Sequence, residues 1–124
     1  MDRCLVIYNI CGIQKDNTTK YAQYLDMLTK QKFDGELKVV ISACMNQPFT
    51  KTYLQNLYPQ CDYNDIREIL PVNVTFNHSV LEAVKRYGKF DSYVYMSCDS
   101  LFRTENEVQG MFDILKNNQD YGMV

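Results

Sequence analysis

Three stretches of the chain are apolar without alternation: CLVIYNI at 4–10, ELKVVISAC at 36–44 and SYVYMSC at 92–98. A strand with one wet face alternates, whereas a strand covered on both faces does not, so these three read as buried strands of a parallel sheet. Between the first two, TTKYAQYLDMLTKQ places Tyr21, Tyr24, Leu25 and Leu28 at i, i+3, i+4 and i+7, the stripe of a crossover helix with Asn17 or Thr18 available as N-cap. PFTKTYLQNLYP, bracketed by Pro48 and Pro59, predicts a shorter helix, and REILPV predicts a short strand near Pro71. SVLEAVKRYG carries Val80, Leu81, Val84 and Tyr87 on one helical face and stops at Gly88, a C-cap residue. TENEVQGMFDILK opens with the capping-box pair Thr104-x-x-Glu107 and continues with the stripe Val108, Met111, Phe112 and Leu115. DYGMV predicts the start of a further strand.

Strand and helix alternate along the chain, and parallel strands need crossover connections that are usually helices. The expected architecture is therefore α/β, a three-layer α/β/α sandwich with a mostly parallel sheet. With 124 residues, 46% of them hydrophobic, the chain predicts one domain over 1–124 with a core of its own. Its 13 basic and 15 acidic residues are interspersed, a net charge of -2, and lack the electrostatic footprint of a nucleic-acid or anionic-membrane binder. The apolar opening run is too short to cross a bilayer and no secretory cleavage site follows it, so no transmembrane segment is expected. Five cysteines without a CxxC pair read as reduced thiols, which predicts a cytoplasmic protein. In that setting the sequons at Asn17, Asn73 and Asn77 read as chance matches.

In open sheets of this type ligands bind beyond the carboxyl ends of the strands. The segments expected there are NICGIQKDN, SACMNQP, NVTFNHS and SCDSLF, which offer Asn9, Gly12, Ser42, Asn46, Asn73, Asn77, Ser79, Ser97, Asp99 and Ser100. This set is rich in amides and hydroxyls and poor in Lys and Arg, suited to ribose and base more than to bare phosphate. Asp99 is the one carboxylate among them; Mg²⁺ or Mn²⁺ commonly takes one or two carboxylates plus phosphate oxygens of a substrate, and Asp is equally a turn or cap residue. Asn77 is either a nucleotide contact or the N-cap of the helix that follows. His78 is the sole histidine, which rules out a histidine metal cluster and leaves it as a helix-start residue. CGIQKDN matches neither GxGxxG nor GxxxxGK[ST], so a dinucleotide fold or P-loop is not expected.

NHSVLEAVKRYGKFDSYVYMSCDS, set after QKFDGELKVVIS and before a capped helix, resembles the nucleotide-binding N-terminal half of a GT-A-fold glycosyltransferase of the inverting family-2 type. The resemblance covers nearly the whole chain and implies a nucleotide-diphospho-sugar transferase fold. Taken with the strand-end reading, it makes Asn9, Ser42, Asn46, Asn77, Ser97 and Asp99 the residues expected to bind a nucleoside-diphosphate sugar. In that family an Asp-x-Asp-like motif at the strand end holds a divalent metal; the matching triplet here is Ser97-Cys98-Asp99, so Asp99 becomes the metal ligand, with Mn²⁺ or Mg²⁺ as cofactor. The acceptor would be a carbohydrate or other hydroxyl, and the acceptor-binding elements and general base are expected in a C-terminal half beyond these residues. A sheet cut at that point predicts association through its open edge. Two other readings stand beside this one. Ser97 in the first carboxylate place suits a degenerate, non-catalytic module of the same fold, while a flavodoxin-like or receiver-like domain is disfavoured because NICG supplies no acid at the end of the first strand.

Overall fold

The computed structural model of the chain describes residues 1–11, 18–44, 48–66, 71–97 and 100–123. Its elements are β1 (Arg3–Cys11), α1 (Thr18–Thr29), β2 (Glu36–Cys44), α2 (Pro48–Leu57), β3 (Asp62–Ile66), α3 (Val72–Tyr87), β4 (Ser92–Ser97) and α4 (Glu107–Asn117). All strand pairs are parallel and the sheet order is β3-β2-β1-β4. The long apolar run of β1 follows from its central place, because successive residues enter opposite layers. Cys4, Val6, Tyr8 and Ile10 pack with Leu25 and Leu28 of α1, Leu54 of α2 and Val108 of α4, whereas Leu5 and Ile7 pack with Ala83 of α3 and with Phe90. Helices α1, α2 and α4 thus cover one face and α3 the other, the three-layer α/β/α sandwich expected. Each fully enclosed Leu or Ile stabilises the fold by about 1.5–3 kcal/mol relative to an exposed one.

Two elements differ from the periodicity reading. The third strand is Asp62–Ile66, ahead of the REILPV segment. Of that segment, residues 67–70 lie outside the described residues, Pro71 is the N-cap of α3 and Val72 is its first residue. An edge strand with a single neighbour has no need of a continuous apolar run, and DYNDI turns Asp62 and Asn64 toward the α3 layer. Helix α3 consequently begins before Asn77, which is exposed within it and is not its N-cap. At the other end, Gly88 takes φ +82° and donates its N–H to the Val84 carbonyl, closing the helix where expected. Helix α4 begins at Glu107, later than Thr104 as N-cap would place it. The capping pair instead braces the preceding turn: Thr104 Oγ1 accepts from the Asn106 N–H at 3.4 Å, and Glu107 Oε1 from the Arg103 N–H at 3.0 Å. Among the described residues after α4 there is a turn and no strand, in place of the DYGMV strand.

The amino end of the sheet is closed by Arg3. Its Nε contacts Glu36 Oε2 at 2.6 Å, its Nη1 and Nη2 donate to the carbonyls of Lys89 and Tyr87, and its guanidinium lies 4.3 Å from the centre of the Phe90 ring. The start of β1 is thereby tied to the end of α3 and the turn into β4.

On the opposite layer Tyr58 donates its hydroxyl to the Ala22 carbonyl at 2.6 Å, joining α1 to the end of α2. Burial, then the charge of Asp26, pushes the Tyr58 hydroxyl from 10.0 up to about 12, and burial pushes the Cys61 thiol from 9.0 up to about 11. Both groups keep their protons in the folded chain at pH values where the unfolded chain has lost them. Their stabilisation is complete below pH 9.0 and drains away as the pH climbs through about 11 for Cys61 and about 12 for Tyr58. Tyr58→Phe should be about 1 kcal/mol less stable at neutral pH, from the lost hydrogen bond, yet lose stability less steeply above pH 10.0. Urea unfolding at a series of alkaline pH values measures this; an unchanged slope would remove Tyr58 as a titrating group.

Candidate functional site

The sheet order creates a switch point. From β1 the chain moves to β2 and then β3 on one side, and returns over α3 to place β4 on the other side of β1. The carboxyl ends of β1 and β4 lie side by side at that point, the place where α/β sheets of this order bind ligands. The register puts Asn9 directly beside Ser97 there, and on its other flank Asn9 is beside Ser42, itself beside Asn64. Asn64, Ser42, Asn9 and Ser97 thus form one row across all four strands, on the face covered by α3. Alternation explains why one face receives all four: Leu5 and Ile7 precede Asn9, Val40 precedes Ser42, and Tyr93 and Tyr95 precede Ser97 at two-residue steps.

Each member of the row has a distinct environment. Asn9 is 6% exposed; its Nδ2 donates to the Tyr95 hydroxyl at 3.4 Å, a long bond, and its Oδ1 is enclosed without a hydrogen-bond partner among the described residues. Tyr95 is held edge-on by Phe76 of α3, ring centres 5.6 Å apart. Ser42 is fully enclosed and its Oγ accepts from Ser79 Oγ at 2.7 Å; Ser79 Oγ in turn accepts from Asn64 Nδ2 at 3.2 Å. The hydroxyl of Ser42 is therefore engaged within the protein, holding α3 and Asn64 at the rim. Ser97 Oγ lies 3.1 Å from Ser100 Oγ just beyond the end of β4.

Of the residues expected to form a site, the structure brings Asn9, Ser42 and Ser97 into one row. Asn77 stands apart on the exposed side of α3, while Asn46 and Asp99 lie outside the described residues. Ser79, expected in a strand-end loop, is inside α3 and faces the sheet. Three neighbours escaped the sequence reading. Asn64 was hidden because β3 was placed too late. Tyr95 looked like ordinary aromatic packing, although its two-residue offset from Ser97 marks the shared face. His78 is on α3 with its Nδ1 3.4 Å from Asn64 Nδ2, rather than at a helix start.

The row is neutral and built to hydrogen-bond. No three His, Cys, Asp or Glu side chains cluster as a metal site among the described residues. Ser79→Ala should cost about 1–3 kcal/mol, since it strands the enclosed Ser42 hydroxyl, and adding Ser42→Ala should restore part of that loss. Denaturant unfolding of the two single variants and the double variant measures the coupling; strict additivity would mean the Ser42–Ser79 bond contributes nothing.

Neither a protein-family model nor a curated protein matches the sequence. Solved structures do match the fold. Over 96% of its length the chain superimposes on the crystal structure of S. aureus TarS with a TM-score of 0.63 and 13% identity. The crystal structure of S. aureus TarS 1–349 in complex with UDP superimposes over the same share, with a TM-score of 0.60 and 13% identity. The chain spans 20% of the first of these chains and 33% of the second. Its four parallel strands and flanking helices thus have the α/β fold found in a glycosyltransferase.

Proposed function

We propose that the carboxyl end of the sheet binds a nucleoside-diphosphate sugar, as the donor-binding part of a glycosyltransferase that passes the sugar to an acceptor hydroxyl. The observation that carries this reading is Asn9: an amide at the β1–β4 switch point, nearly enclosed, whose Oδ1 has no donor among the described residues. Buried polar atoms are almost always satisfied, so an enclosed acceptor at this end of the sheet calls for a donor from outside the described residues. An N–H of a base or an O–H of a ribose or sugar supplies one. The likeness to TarS, solved with UDP, supports the same class of ligand.

The diphosphate needs a different partner, because the row is neutral. Asp99, directly after Ser97 and Cys98, would hold a Mg²⁺ or Mn²⁺ ion with the phosphate oxygens completing its shell, an oxygen donor set that suits a hard cation. Such an ion supplies Lewis-acid neutralisation of the departing diphosphate. The protein's own share is positioning: Asn9 orients the polar edge of the ligand, and the Ser42–Ser79–Asn64 bonds hold the wall formed by α3. Ser97, paired with Ser100 where the metal-binding motif would have its first carboxylate, favours a second reading in which the fold serves as a non-catalytic interaction module.

Thermal-shift titrations with UDP, GDP and dTDP, each with and without Mn²⁺, separate the two. A ligand that binds only the folded chain adds about 2.7 kcal/mol when present at a hundred times its Kd. A metal-dependent rise in Tm with one nucleotide is the expected result and identifies the base. No shift with any nucleotide would transfer the assignment to the interaction module.

A further inference from the structure

Cys11 and Cys44, far apart in sequence, are register partners at the last rung of β1 and β2. They stand one two-residue step beyond Asn9 and Ser42, themselves register partners, and so on the same face of the sheet as that pair. Cys4 and Cys61 have no such neighbour: Cys4 is in register with Leu37 and Ser92, and Cys61 lies just before β3. Both of these are buried, and burial pushes both thiols up, which keeps them protonated and unreactive. Adjacent strands of a sheet run about 4.8 Å apart, within the roughly 4.4–6.8 Å between Cα atoms that a disulfide spans. Parallel neighbours keep about that spacing at Cβ as well, longer than the roughly 3.8 Å of a relaxed disulfide, so a bond at such a rung is strained and readily reduced.

We propose that Cys11 and Cys44 form a reversible disulfide that ties together the carboxyl ends of β1 and β2, made by exchange with a small-molecule disulfide such as oxidised glutathione. The thiolate of one cysteine attacks a sulfur of the small disulfide, giving a mixed disulfide and releasing one small thiol. The thiolate of the other then attacks the protein sulfur of that mixed disulfide and releases the second small thiol. Two electrons pass from the protein to the small disulfide, and the two protons lost by the cysteines end on the two released thiols. A strained bond of this kind belongs with transient, redox-responsive disulfides rather than with permanent staples. It does not depend on nucleotide binding and is tested without a nucleotide.

The full chain is equilibrated with glutathione buffers from reducing to oxidising, its remaining thiols are blocked with N-ethylmaleimide, and linked peptides are sequenced by mass spectrometry. The parent should acquire a Cys11–Cys44 link, lighter by two hydrogen atoms and reversed by dithiothreitol, with Cys4 and Cys61 still free to be alkylated once unfolded. The equilibrium constant of that link against glutathione should be about tenfold or more higher in native buffer than in urea, because the fold holds the two strand ends together. That comparison uses the parent chain alone. Cys11→Ser and Cys44→Ser, each shown to be folded by circular dichroism, should lose the link and carry glutathione on the cysteine that remains. A link no more favourable in native buffer than in urea, a native link that joins either residue to Cys98 instead, or a parent whose Cys11 and Cys44 stay free or only singly glutathionylated in the most oxidising buffer would each overturn the proposal.

Discussion

Gly35→Ala should destabilise the domain by about 3 kcal/mol, near 10 °C in melting temperature for a domain of this size. Gly35 has φ +140°, a region that residues with a Cβ rarely enter. An added Cβ would also collide with the backbone carbonyl of Asp2 and come within 3.1 Å of the Phe33 ring. That carbonyl cannot yield freely, because it accepts the Glu36 N–H at 2.9 Å where the β1–β2 ladder begins. Relief requires breaking this bond or peeling back the start of β1, which Arg3 anchors to the α3–β4 turn. Gly110 in α4 provides the contrast: a Cβ there meets nothing within 4 Å, so Gly110→Ala should gain about 0.5–1 kcal/mol from helix propensity and chain entropy. Chemical denaturation of both variants checks the pair. A Gly35→Ala protein as stable as the parent would show that the turn can move as a unit.

Asn9→Leu should weaken nucleotide binding about tenfold to a hundredfold while leaving stability nearly unchanged. The two measurements separate because of how Asn9 is buried. Its Oδ1 makes no hydrogen bond among the described residues and its Nδ2 makes only the 3.4 Å contact to Tyr95, so an apolar side chain of similar volume forfeits little in the folded protein. In the complex, the ligand donor that would have met Oδ1 is left buried and unpaired, a loss of about 1–3 kcal/mol at 1.4 kcal/mol per factor of ten. Urea unfolding gives the first quantity and titration with the nucleotide found by thermal shift gives the second. Stability falling by about 2 kcal/mol or more with binding intact would make Asn9 a structural residue and remove it from the site.

Legibility in the sequence followed burial. β1, β2 and β4 could be read to within a residue or so because both faces of each strand meet other layers, which forces an unbroken apolar run. Helices α1, α2 and α4 could be read because one stripe of each meets the sheet. β3 could not: its composition, DYNDI with Asp62 and Asn64, looks like a loop, whereas β4, at the other edge of the sheet, keeps an apolar run. The start of α3 was obscured by Val72, Val74 and Thr75, β-branched residues that suit a strand, after a Pro71 that serves here as N-cap. Packing outweighed that local preference: Thr75 is fully buried and Phe76 packs on Tyr95.

What the sequence determined by itself is the alternation of strand and helix, the parallel sheet this requires, and the collection of neutral polar residues at strand ends. Periodicity is local, carried by residues within a few positions of each other, and survives without knowledge of partners. Which of those polar residues share a place was decided by tertiary structure alone. Asn9 and Ser97 meet because β4 returns to the far side of β1, and Ser42 is engaged by Ser79 because α3 crosses that face of the sheet. Strand order and helix layer are set by how the apolar faces of the whole chain can be buried together, a balance summed over the entire core that no single stretch of sequence records.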